Sequence, residues 1–306
     1  MSFNQFLTVL SSPPDEILNI FSLIISFGLA VLMFVLGLKI TFFEIKKNFI
    51  KPKALLTGLF LQIILIPVVG LIYVLTADFS PDVQLGIIVI SCMPSAATSN
   101  YITSKINGNI PLSITLTTIC TLLAIYTIPF YLKLFSSMIN LETSIFDIYY
   151  RNIIIKIFIF ITLPVIIGAT LKHYLPKIKK IEKNLDKISL ILFVIIIKLA
   201  IYLSIINIQN AAETFIAVFG FMAIVLFLVF FVIKLSNISF KEMKTLFTEA
   251  ILQNNALGFL IVFSISGNSS NTLPVLAVYA VGQYVVIVLL LFTLLKNKPS
   301  ISSEKI

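Results

Sequence analysis

Thr248–Phe263 reads TEAILQNNALGFLIVF. The segment is apolar enough to enter a bilayer, yet Glu249, Gln253, Asn254 and Asn255 stand at its head. The rest of the chain sets the context for that contradiction. Its 306 residues are 59% hydrophobic and 11% charged, with a mean hydropathy of +1.09. The apolar residues fall in runs of about 20, the length that crosses a ~30 Å hydrocarbon layer. This pattern predicts an all-α, multi-span membrane protein.

Nine spans are expected, at roughly 17–40, 54–77, 85–104, 110–136, 151–175, 187–208, 214–236, 245–266 and 273–295. The net charge of +9 is distributed by loop. Lys46, Lys47, Lys51 and Lys53 follow the first span, Lys177, Lys179 and Lys180 the fifth, and Lys241 and Lys244 the seventh. The opposite connections hold Asp78, Asp82, Glu142, Asp147 and Glu213, with Arg151 as the basic exception. The positive-inside rule then puts the N-terminus outside, the C-terminus in the cytoplasm and the chain in the cell membrane. The basic excess is read as topology and anionic-lipid contact rather than as a nucleic-acid surface. The N-terminus lacks a secretory-signal pattern, so the chain is read as mature from Met1. Cys92 and Cys120 lie inside spans and are read as packing residues, and His173 as a solvated side chain. No cofactor is implied.

Glu249 alone among the thirteen acidic residues falls within a span with no Lys or Arg one helical turn away. An ionised carboxylate there costs about 2.5–3.5 kcal/mol on insertion scales, so it is expected to face water or a cation. Reaching the cytoplasmic interface is the plainer alternative. Gln253, four residues on, shares its helical face. In the third span, SCMPSAATSNY (Ser91–Tyr101) places Pro94 in mid-span beside Ser95, Thr98, Ser99 and Asn100. Pro94 predicts a broken helix, with a kink and back-bonded hydroxyls as the alternative. Ser113 and Thr117 share a face of the fourth span, and Gln62 stands alone in the second. Gln62, Ser99, Asn100, Ser113, Thr117, Glu249 and Gln253 together offer oxygen atoms around one negative charge, the donor type hard cations prefer. Lys198, mid-span in the sixth, is read as snorkelling or as a cationic cavity wall.

At these residues the chain resembles the bile acid:sodium symporter family, from about Leu36 to about Leu295. The resemblance rests on GLKITFFEIKKNFIKPKALLTGLFLQIILIP, the Pro94–Asn100 break followed by NGNIPLSITLTTICTLLA, the Glu249-x-x-x-Gln253-Asn254 run, and PVLAVYAVGQYVV. It implies a ten-helix inverted-repeat fold lacking its first helix, in one transmembrane domain over residues 1–306. The core would be 54–136 and 214–295, the panel 17–40 and 151–208, with the third and eighth spans broken and crossing. It also implies two sodium sites. One would use Ser99, Asn100, Ser113, Thr117 and Glu249; the other Gln62, Glu249, Gln253 and the carbonyls of Ala250 and Leu252. Thr98, Asn254 and Gln283 would contact the substrate. Where the family commonly has two glycines after the proline, this chain has Ser95 and Ala96, which is expected to reshape the substrate pocket. The implied activity is sodium-coupled symport of an organic anion by a monomer and not an enzymatic reaction. A metalloid-oxyanion exporter is the alternative, in which Cys92 would serve.

Overall fold

The computed structural model describes residues 15–40, 42–50, 52–139, 143–175, 211–265 and 272–296, with isolated positions between 188 and 202. The described chain is almost wholly helical. In order it runs α1 (Asp15–Lys39), α2 (Phe42–Ile50), α3 (Pro52–Thr76), α4 (Pro81–Cys92), α5 (Thr98–Lys105) and α6 (Ile110–Met138). Then follow α7 (Thr143–Ile157, continuing through Phe158–Thr162 to Leu163–Tyr174), α8 (Ala211–Leu235), α9 (Phe240–Ile251), α10 (Asn255–Ile265) and α11 (Leu273–Lys296). Among the described residues five segments are long and apolar enough to cross a membrane: Ser22–Lys39, Pro52–Thr76, Ile110–Met138, Tyr149–Tyr174 and Ala211–Leu235. Most of the expected sixth span lies outside the described residues. Lys198 there is helical and exposed.

The third and eighth expected spans are each two helices. The first break follows from Pro94: Met93, before it, adopts φ −72° and ψ 142°, the extended region that a following proline enforces. The eighth span begins earlier than its hydropathy suggests, at Phe240, because Ser239 and Glu242 form a capping box. The two breaks lie against each other. Ser95 and Gln253 pair as an isolated antiparallel bridge, with Ala96 N donating to Leu252 O at 2.7 Å and Asn254 N to Pro94 O at 2.9 Å. Each break thus satisfies backbone groups freed by the other, which would otherwise each cost about 1–3 kcal/mol buried.

Pro67 has no N–H for the carbonyl of Ile63, four residues back. Tyr131 of α6 supplies the missing donor at 2.7 Å, and α3 widens there into a π-helical stretch, Phe60–Leu65. Gln62 lies in that stretch and is directed inward, buried. Helix α8 is apolar all round: Ala217, Val218, Phe221 and Val225 are buried, while Phe227, Phe230 and Phe231 are exposed, as suits a helix with one face on protein and one on lipid. Every residue of α10 is buried, so this half-helix runs through the centre of the protein.

Helix α1 packs closely along the last segment of α7. A Cβ added at Gly37 would lie 2.3 Å from Val165 O, and one at Gly168 equally close to Phe34 O, so both backbones need glycine to approach. Further along, Ile40 shares a cavity with Val165, His173 and Tyr174.

Candidate functional site

Glu249, in the last turn of α9, is 1% exposed. Its carboxylate receives four hydroxyls. Ser95 Oγ donates to Oε2 at 2.5 Å and Thr117 Oγ1 to the same oxygen at 2.9 Å. Ser99 Oγ donates to Oε1 at 2.6 Å, and Ser113 Oγ donates to the same oxygen. Asn100 joins through its Oδ1, 2.8 Å from Ser113 Oγ. No Lys or Arg among the described residues pairs with the carboxylate. The hydroxyls come from the first break, from α5 and from α6, so one side chain of α9 ties three segments together.

The spacing Ser113-x-x-x-Thr117 puts both hydroxyls on one face of α6, and the Pro94 break turns Ser95 and Ser99 inward. A serine or threonine hydroxyl has one hydrogen and two lone pairs. Each of the four can therefore hold the carboxylate and still offer oxygen to a cation. Among the described residues no three His, Cys, Asp or Glu side chains cluster as metal ligands, so this set of hydroxyls around one carboxylate suits a hard monovalent cation rather than a transition metal.

A second group gathers at the end of α9, whose last carbonyls have no partner within the helix. Gln62 Nε2 donates to the main-chain oxygen of Glu249 at 2.5 Å, and Gln253 Nε2 to that of Ala250 at 3.1 Å. Tyr279 OH takes the Ile251 carbonyl at 3.0 Å, and the bridge takes that of Leu252. The side-chain oxygens of Gln62 and Gln253 are buried without a donor. Unpaired acceptors at the negative end of a helix, beside a carboxylate, form a locale that favours positive charge.

All nine residues expected to serve sodium thus lie on the structural elements that meet at Glu249. The expected substrate contacts lie at the same crossing. Gln283 Oε1 accepts from Gln253 N at 3.0 Å, and Thr98 Oγ1 lies 3.1 Å from Tyr284 OH. Asn254 caps α10 through its Oδ1, 3.2 Å from Leu257 N, which leaves its Nδ2 buried and unpaired.

Sequence reasoning passed over three residues. Ser95 reads from sequence as a hydroxyl at the break and a change to the substrate pocket, not as a sodium-site residue, but its hydroxyl bonds the carboxylate. Tyr284 gave no signal at all. Thr118 stands next to Thr117 and faces the other way, into a cavity of about 450 Å³ between α1, α2, α6 and α7, with Ile40, Leu122, Ala169, Thr170 and His173. Its hydroxyl is buried and unpaired. Cys92 and Cys120 are both buried and free, and line a narrow crevice with Gln62. His173 is exposed against Tyr174.

Residues 26–211, more than half of the chain, match the model of the Sodium Bile acid symporter family. This chain belongs to the sodium bile acid symporter family. Individual relatives agree. The chain is 27% identical over 242 residues to the Oryza sativa subsp. japonica protein named "Probable sodium/metabolite cotransporter BASS2, chloroplastic", covering 76% of this chain and 55% of that one. It is 26% identical to the "Uncharacterized sodium-dependent transporter YocS" of Bacillus subtilis, covering 76% and 72%. It is 28% identical to the human ileal sodium/bile acid cotransporter, covering 60% and 54%. The chain therefore spans about half the length of the rice and human relatives. The family and these relatives are named as transporters and not as enzymes.

Proposed function

We propose that this sodium bile acid symporter family protein is a sodium-coupled symporter of an organic anion, a bile acid-like molecule or a small carboxylate, working by alternating access. The observation that carries the reading is the Glu249 carboxylate, buried at the crossing of two broken helices, held by four hydroxyls and, among the described residues, paired with no cationic side chain. A buried charge is expensive to maintain. A coupling cation accounts for its presence, and the unpaired oxygens of Gln62 and Gln253 account for a second.

On this reading Glu249 is shared by two sodium sites. Ser99, Asn100, Ser113 and Thr117 complete one; Gln62, Gln253 and the Ala250 and Leu252 carbonyls complete the other. The anion meets the unpaired Asn254 amide, with Thr98 and Gln283 beside it. Two Na⁺ carried with a monovalent anion leave one net positive charge. The membrane potential then adds about 2.3 kcal/mol per 100 mV to uptake. Nine spans, an outside N-terminus and a cytoplasmic C-terminus accompany this arrangement. The helices around Glu249 form a core that moves against a panel built on the α1–α7 pair.

The test is thermal unfolding of purified protein against bile salts and small carboxylates in NaCl and in KCl. A ligand that raises the melting temperature only with Na⁺ is the expected outcome. Equal ligand stabilisation in both salts would return Glu249 to a structural role.

A further inference from the structure

Ser95 occupies a place that the expected sodium ligands did not include. Its Oγ lies 2.5 Å from Glu249 Oε2 and 3.2 Å from Thr117 Oγ1, and the residue is fully buried. It is held there from the backbone. Ser95 is the bridge partner of Gln253, and the next residue donates its N–H to the Leu252 carbonyl. The hydroxyl therefore has little freedom to leave the carboxylate, unlike one on a free helix face.

The position has a chemical consequence. Without Ser95, Oε2 of Glu249 would receive Thr117 alone, while Oε1 receives Ser99 and Ser113. With it, oxygen atoms surround the carboxylate on both sides, and the Ser95 Oγ faces the same locale as Thr117 and Ser99, themselves 3.4 Å apart. A hydroxyl that gives its hydrogen to Oε2 keeps two lone pairs for a cation between them. Adding an oxygen ligand to a hard-cation site raises affinity and narrows the tolerated radius.

We infer that Ser95 is a further ligand of the cation held by Ser99, Asn100, Ser113, Thr117 and Glu249, and sets its affinity and size selectivity. The inference rests on the sodium reading of Glu249. Ser95 belongs at once to the ion site and to the crossing, so ion occupancy bears directly on the geometry of both breaks.

The experiment measures melting temperature against NaCl, LiCl and KCl for the full chain in detergent, at constant ionic strength, in the unmodified protein and in Ser95→Ala, Ser95→Cys and Ser95→Thr. Ala keeps the backbone bridge, Cys keeps the volume without the oxygen, and Thr keeps the hydroxyl. The expected result is that the Na⁺ concentration for half-maximal stabilisation rises about tenfold in the Ala and Cys variants, the loss of roughly one good ligand contact. Thr stays within about twofold of the unmodified protein, and the Na⁺-to-Li⁺ preference changes only where the oxygen is gone. In KCl the Ala and Cys variants melt lower through loss of the buried hydrogen bond to Glu249, so each Na⁺ midpoint is read from that variant's own KCl baseline. An unchanged Na⁺ midpoint in whichever of the Ala and Cys variants folds would overturn the role of Ser95 while leaving Glu249 intact. No Na⁺ response in the unmodified protein would overturn the sodium reading and Ser95 with it.

Discussion

Replacing Glu249 by Gln changes one atom type at the centre of the site and keeps its shape. The carboxylate accepts four hydroxyl hydrogens, two on each oxygen. Gln retains one accepting oxygen and presents an NH₂ where the other stood, so two hydroxyls must rotate to accept instead of donate, which their lone pairs allow. The fold therefore survives. The cation loses far more: opposite unit charges about 4 Å apart interact by about 4 kcal/mol at an effective dielectric near 20. At 1.4 kcal/mol per decade that is a loss of close to a thousandfold in Na⁺ affinity. A site half-filled at millimolar Na⁺ would then need roughly molar concentrations. The assay is the shift in melting temperature when NaCl replaces KCl at constant ionic strength. Saturation at a hundred times the dissociation constant stabilises by ~2.7 kcal/mol in the unmodified protein. The variant should show a flat response while melting in KCl at or above the temperature of the original, since a buried charge has been removed. A Na⁺ response in Glu249→Gln equal to that of the unmodified protein would refute the reasoning.

Gln62→Ala removes a buried oxygen that has no donor and should raise the Na⁺ requirement for transport several-fold while leaving the Ser99–Ser113 group in place; an unchanged requirement in a sodium titration of uptake would remove Gln62 from the ion site. Gly168→Ala places a methyl 2.3 Å from the Phe34 carbonyl and should destabilise by about 1–3 kcal/mol through forced separation of α1 and α7, read as a lower melting temperature in KCl. Cysteines placed at Ser2 and Ser302 should label from opposite sides of the membrane in sealed vesicles, and labelling from the same side would require an even number of spans.

The first break was legible because proline acts through covalent chemistry alone. Pro94 removes a donor and pushes Met93 out of the helical region whatever surrounds it. The eighth span carries no such residue, and on its own sequence TEAILQNNALGFLIVF reads as a helix with a polar head. Its break is tertiary: the Leu252 carbonyl and the Asn254 amide find their backbone partners in the Pro94 break. Ser113, Thr117 and Glu249 were legible because polar atoms in an apolar span require a reason. Ser95 is legible as a hydroxyl at the Pro94 break and as a lost glycine, but not as a partner of Glu249, since the direction of its side chain depends on the same bridge. Gln62 stood out as polar, but the π-helical stretch around it depends on Tyr131 satisfying Ile63, a contact 68 positions apart in sequence.

The same dependence explains why the site sits at the crossing. A break in a membrane helix leaves carbonyls at one end and amides at the other, and hydrocarbon offers neither a partner. Here the two breaks supply each other first, through the Ser95–Gln253 bridge, and side chains finish the work at the end of α9: Gln62 on the Glu249 carbonyl, Gln253 on Ala250, Tyr279 on Ile251. Those donors are drawn from α3, the break itself and α11. Helices α3 and α11 and the break itself are therefore bonded within a few residues of Glu249, the one buried carboxylate among the described residues. A change in charge at Glu249 acts on all of them together, because the hydroxyls that hold its side chain and the amides that hold its backbone belong to different segments. On the sodium reading, a single cation bound at Glu249 would bias the position of the helices bonded to it.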